Sequence, residues 1–304
     1  MPSVVLITND RTHGRRVLQT LWQRGIVLDE VLYLAGPLGL PAARGRGLAG
    51  RVVRWPYSVA RTLMRTVHFR RERRAKYAMR CARVTEAGGM NGPRLLRRLR
   101  ELQPDWIILG GGGILRPEVI RTARVGVLNV HPALLPWARG CGVVGASLEH
   151  GVAVGATLHY VDAGIDTGAV IERRLLSVRP GDTDLAALEL GVMELSAEMM
   201  ADAVEGIVRR GEVPAGTAQA GRYPLFRWLD AAGQARHRAV AATGRAHRLY
   251  EAWRPLCVNL ERGILPPHVS SAPPSITLQP VARPTAVSAE KGTLSAPELI
   301  REVR

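Results

Sequence analysis

A chain of 304 residues can bury one large core or two modest ones. Its formal charge of +16 comes from 42 Lys and Arg against 26 Asp and Glu, and no apolar run reaches the ~18 residues that a membrane-spanning helix needs, which excludes such a helix. Met1-Pro-Ser leads straight into a strand-like run without a signal-peptide pattern. The three cysteines, Cys81, Cys141 and Cys257, are odd in number and unevenly spaced, so a cytoplasmic protein without a disulfide framework is expected.

Val4–Thr8 reads as a buried first strand, residues 9–14 as a turn, and residues 15–24 as a helix. Residues 26–34 predict a second strand that ends in a Gly/Pro-rich break at residues 35–41. The charge then concentrates. Residues 44–100 hold sixteen Arg and Lys76 against Glu72 and Glu86, a balance of +15 that leaves the rest nearly neutral. Within this stretch Val59, Leu63, Met64 and Val67 recur at a spacing of three to four, as on a surface helix. Its charged face is a solvated exterior, a docking surface for an anionic acceptor, or a patch for RNA or anionic lipid. Trp55, Tyr57, Phe69 and Tyr77 are scattered rather than set for base stacking, which favours the first two.

Residues 95–102 read as a helix before a strand at Trp106–Gly110, which opens into Gly110-Gly-Gly-Gly113 and Ile114-Leu115. Residues 125–130 predict the next strand. Its period-two alternation places Asn129 and His131 on one face at the carboxyl end, where open α/β sheets hold ligands. An amide beside an imidazole suits the oxygen of an acyl group under attack. A lone His before a Pro is ordinarily structural, so the pair needs a partner.

That partner follows in a strand at residues 152–161, the loop Asp162-Ala-Gly-Ile-Asp-Thr-Gly168, and a second strand at residues 169–178. Thr157 reads as an ordinary β-branched strand residue, and Cys141 as a small residue in a turn. His159 is either a pocket contact or a packed histidine. His131, His159, Asp162 and Asp166 could be taken for a metal cluster, but no His-x-x-x-His or Cys-x-x-Cys spacing supports one and no metal is expected. Asp182-Thr-Asp then caps a long helix to Arg210, with acidic residues in its first turn and Gly211 as its stop.

Asn129-x-His131 with Leu134-Leu-Pro136, Arg139-Gly140 and the loop from Asp162 to Gly168 resemble, at matching separations, the motifs of the formyltransferase family. That family includes glycinamide ribonucleotide, methionyl-tRNA and sugar N-formyltransferases. The resemblance covers roughly residues 1–225. It implies an α/β, Rossmann-like fold with a central, mostly parallel sheet followed by a β-hairpin and a long helix. It further implies a catalytic trio of Asn129, His131 and Asp166, with 10-formyltetrahydrofolate as the co-substrate. The donor would lie against Gly112, Gly113, Ile114 and Leu115, where the family has its own Ile-Leu pair, and against Asp162, Ala163, Gly164 and Ile165. Asn9, Arg139 and His159 are candidate acceptor contacts. The turn at residues 9–14 carries one Gly, where phosphate-binding members often place Gly and Ser, so glycinamide ribonucleotide is a poor candidate substrate.

These residues divide into a catalytic domain at 1–215, a short helical extension at 216–263 and a disordered tail at 264–304 that holds seven of the 20 prolines. Gly221-Arg-Tyr-Pro resembles a segment that follows the catalytic domain in several formyltransferases. The expected activity is formyl transfer to a primary amine on a small molecule, such as a nucleotide-linked amino sugar or a natural-product intermediate, by a chain that leaves room for a homodimer. A formyltetrahydrofolate hydrolase is an alternative, though such members usually carry an N-terminal regulatory domain. A methionyl-tRNA-type, RNA-binding enzyme is another. Residues 225–304 lack the alternating strands of that enzyme's C-terminal barrel, and Arg139-Gly-Cys-Gly-Val-Val departs from its Arg-Gly-Ala-Ala-Pro pattern.

Overall fold

The computed structural model describes residues 1–9, 12–34, 80–111, 113–221 and 223–266. Its centre is an eight-stranded mixed sheet. Strands β1 (Val4–Thr8), β2 (Glu30–Tyr33), β3 (Val84–Glu86), β4 (Trp106–Gly110) and β5 (Gly126–His131) are mutually parallel in the spatial order 3-2-1-4-5. The antiparallel strands β7 (Gly155–Tyr160) and β8 (Val170–Leu175) extend it beyond β5. Ile264–Leu265 closes that edge. The order reverses between β1 and β4, so their carboxyl ends flank a crevice at the topological switch point.

β1 is buried along its whole length because helices cover both faces of the sheet. Val4 and Leu6 enter a core with Trp106, Ile108 and Leu128, while Val5 and Ile7 enter the opposite core with Ile107, Leu95 and Leu99. Helix α1 (Thr12–Gln23) starts three residues earlier than its sequence predicts. Helix α2 (Pro93–Leu102) covers the second face, and the short α3 (Pro117–Ile120) precedes β5. Strand β6 (Arg139–Gly140) and α4 (Val143–Glu149) follow β5. The 26-residue α5 (Leu185–Arg210) is capped by Asp184, whose carboxylate accepts from Ala186 and Ala187, and it ends at Gly211 with φ 67°. Its first turn holds no acidic side chain, so the cap is the only acid there.

The stretch expected as a helical extension holds α6 (Ala231–Ala242) and α7 (Arg245–Trp253), which place Val240, Leu249 and Trp253 in the main core. One organisational expectation changes. Ile264 and Leu265, read from the sequence as the start of a tail, form β10, which pairs with Arg174 and Arg173 of β8. Leu265 is 2% exposed. Leu265→Ala is therefore expected to cost about 2 kcal/mol, the low end for a buried leucine because a sheet edge relaxes. Chemical denaturation checks this, and an unchanged midpoint would return Leu265 to the tail. Residues 267–304, the predicted helix in residues 52–79, the basic stretch 44–79 and the break at 35–41 lie outside the described residues. No helix among the described residues is long and apolar enough to cross a membrane.

Candidate active site

β5 delivers the site. Its partner β7 sets His159 opposite Asn129 and Thr157 opposite His131, so all four side chains share one face at the carboxyl end of the parallel sheet. Thr157 is more than a strand filler. Its hydroxyl donates to the Ala133 carbonyl at 2.7 Å and accepts from Leu135 N–H at 2.9 Å, which pins the turn leaving His131.

His159 has one consistent tautomer. Nδ1–H donates to the Tyr160 carbonyl at 2.7 Å, leaving Nε2 to accept from the Asn129 amide at 3.1 Å. Burial first, and then the neighbouring His131, lower its pKa to about 4 against the opposing pull of Asp166. A neutral His159 thus fixes which end of the Asn129 side chain is the NH₂ group, and the second N–H of that group remains for the cavity that Asn129 lines.

His131 is 3% exposed, and its Nε2–H donates to the Ala138 carbonyl at 3.0 Å. The remaining nitrogen, Nδ1, lies 3.5 Å from Asp166 Oδ1. Burial holds the imidazole below its usual pKa, while Asp166 and the Ala138 carbonyl act in the opposite direction. Asp166 has a left-handed backbone, φ 53°, a conformation that Asp adopts more readily than most residues. Its Oδ2 accepts from Gly140 N–H at 2.9 Å. Asp162 shapes the same loop by accepting from Gly164 N–H at 3.0 Å and from the Thr167 hydroxyl at 2.7 Å.

These groups line a cavity of about 1040 Å³ at the switch point. Gly113, Ile114 and Leu115 line one side, and Asp162, Gly164 and Ile165 another. Ala163 is not in the lining, and Gly112 lies outside the described residues. Asn9 and His159 line the cavity. Arg139 does not: its guanidinium donates to the Tyr223 carbonyl at 2.7 Å, tying β6 to the segment that carries β9 (Leu225–Phe226). Cys141 does line it, with its thiol pushed up by burial and by Asp166, so it is no activated nucleophile.

Several lining residues carry no local sequence signal. Glu189 and Met193 of α5, Phe226 of β9, and Arg227 and Trp228 beyond it reach the cavity through long-range packing. His13, in the first turn of α1, lines the cavity as well. Burial takes its pKa to about 4, and its Nε2 finds no hydrogen-bond partner among the described residues. No group of three or more His, Cys, Asp or Glu among the described residues is placed to hold a metal ion.

Residues 66–204, which contain Asn129, His131 and the Asp162 loop, match the family model described as formyl transferase. The similarity to that family is thus carried by the segment that holds the site. A methionyl-tRNA formyltransferase of Burkholderia cenocepacia is 33% identical over 178 residues, covering 58% of this chain and 50% of that protein. One from Dehalococcoides mccartyi is 42% identical over 87 residues, 28% of each chain. The chain thus spans half or less of the length of these curated relatives. Among solved structures, a sugar N-formyltransferase from a Shewanella species aligns over 79% of this chain and 87% of its own, with 14% identity and a TM-score of 0.48. Glycinamide ribonucleotide transformylase 1 from Symbiobacterium toebii aligns over 72% and 93%, with 17% identity and a TM-score of 0.46.

Proposed function

We propose that the chain transfers a formyl group from 10-formyltetrahydrofolate to a primary amine on a small molecule. The observation that carries this reading is the convergence of Asn129, His131 and Asp166 on one wall of the cavity, with His131 Nδ1 3.5 Å from Asp166. The co-substrate supplies an activated formyl carbon. As the amine nitrogen bonds to that carbon, negative charge builds on the formyl oxygen, and the free N–H of Asn129 donates to it; such a donor is worth about 10²–10³ in rate. His131, neutral because burial lowers its pKa, offers Nδ1 to take the amine proton, and Asp166 stabilises the imidazolium that results. Breaking the bond from carbon to the folate nitrogen then returns that proton to the leaving nitrogen.

The donor is assigned to the wall formed by Gly113, Ile114, Leu115 and the Asp162 loop. The acceptor is assigned to the side of Glu189, Arg227 and the exposed Trp228, a mixture that suits an amine carrying hydroxyl groups and a planar or anionic portion, as a nucleotide-linked amino sugar does. A methionyl-tRNA-type substrate is the second reading, favoured by the curated relatives and by the basic stretch 44–100. Against it, residues 231–253 fold as helices packed on the core instead of strands.

A panel of amines mixed with enzyme and 10-formyltetrahydrofolate, followed by the absorbance of released folate, is expected to give turnover that depends on an amino sugar nucleotide. Formate release without any amine would make the chain a hydrolase. Turnover only with charged initiator tRNA, falling steeply with salt, would establish the second reading.

A further inference from the structure

The turn that presents Asp166 is held from outside the cavity by a segment that the mechanism above does not use. Residues 214–219 run alongside the neck of the β7–β8 hairpin. Tyr160 Oη donates to the Pro214 carbonyl at 2.7 Å, and Thr217 exchanges backbone hydrogen bonds with Val170 at 2.7 and 2.8 Å. The contact is close at Gly216, where a Cβ would stand 2.9 Å from Ala169 Cβ and 3.0 Å from the Tyr160 ring. At its end, Nε2 of Gln219 donates to the Asp166 carbonyl at 3.0 Å and to the Gly168 carbonyl at 2.7 Å.

We propose that Gln219 is a positioning residue for Asp166, with one carboxamide clamping the carbonyls at both ends of the left-handed turn so that the carboxylate faces His131. The two N–H groups of a single planar amide have fixed directions, so satisfying both carbonyls fixes the backbone between them. The first clamped carbonyl belongs to Asp166 itself and directly follows its left-handed torsion, φ 53°, so the clamp anchors the residue on the carboxyl side of the torsion that aims the side chain. Among the described residues the carboxylate is tied, besides His131, by Gly140 N–H to Oδ2, and a single hydrogen bond leaves the carboxylate free to pivot. Gln219 does not line the cavity, so it acts through Asp166 rather than on a substrate. The inference rests on the reading of Asp166 as a member of the trio.

Gln219→Met keeps the length and removes both donors. The test is the ¹⁵N resonance of His131 Nδ1 at neutral pH in the full chain, with Asp166→Asn defining the signal of a His131 that has lost its carboxylate. Gln219→Met is expected to move that resonance toward the Asp166→Asn value and to lower kcat about tenfold, since a misplacement of about 1 Å can cost up to 10². KM and the melting temperature should stay near wild type. Gln219→Glu, read in the same way, serves if the Met variant does not fold. A wild-type His131 resonance in a folded variant would overturn the clamp, as would a rate loss that merely tracks a fall in melting temperature. Full turnover in Asp166→Asn would instead sink the trio reading, while the resonance still reports on the clamp.

Discussion

His131→Ala is expected to lower kcat by 10² or more while the protein stays folded, with Asn129→Ala and Asp166→Asn each losing about as much. Groups that act as a unit on charge developing in the transition state reduce kcat far more than KM when removed. Asp166→Asn is the cleanest of the three, because the amide oxygen still accepts from Gly140 N–H and the turn keeps its anchor. His131→Ala deprives the Ala138 carbonyl of its donor, so its melting curve must accompany the rates. The pH profile adds a sign. Burial lowers the His131 pKa, so activity should fall on the acid side as the imidazole protonates and can no longer accept a proton. Asp166 raises that value, so Asp166→Asn should move the acid limb to still lower pH in whatever activity remains. Absorbance assays of folate release with melting curves decide the matter, and a folded His131→Ala variant with near-normal turnover would remove this imidazole from the chemistry.

Local pattern carried much of the fold. Val4–Thr8 and Trp106–Gly110 are apolar throughout because both faces of a parallel sheet are covered, and that signature needs no partner to be read. The alternation before His131 put Asn129 and His131 on one face, and the Asp and Gly residues that bound α5 marked its ends. Illegible were the features created by distant chain segments. β6 and β9 pair over two residues across more than eighty positions, and β10 is an apolar pair amid proline and serine, so neither has enough length to show a period. Arg139 looked available for an acceptor because its charge is visible in the sequence, whereas the Tyr223 carbonyl that engages it is not. Thr157 and Gln219 look ordinary for the same reason: their importance lies in carbonyls that only the folded chain brings near. The left-handed torsion of Asp166 is likewise a product of the hairpin neck, since Asp elsewhere commonly takes negative φ.

Gly168→Ala is expected to destabilise the protein by about 1–3 kcal/mol and to reduce kcat by about 10², through one methyl group. A Cβ at this position would stand 1.8 Å from the Tyr160 carbonyl oxygen and 2.7 Å from its carbon. Both are backbone atoms in the neck of the β7–β8 hairpin, so no side chain can rotate away to make room. Relief requires the strands to part where Tyr160 N–H donates to the Ala169 carbonyl at 2.9 Å. The same movement draws the Gly168 carbonyl away from Gln219 and tilts the turn carrying Asp166 two residues earlier. Gly181→Ala is the matched control, because its added methyl meets nothing within 4 Å and should change stability by no more than about 0.5 kcal/mol. Urea denaturation of both variants gives the energies, and folate release gives the rates. If Gly168→Ala matched Gly181→Ala in both, the hairpin neck would be pliant enough to absorb a methyl, and the position of Asp166 would not depend on it.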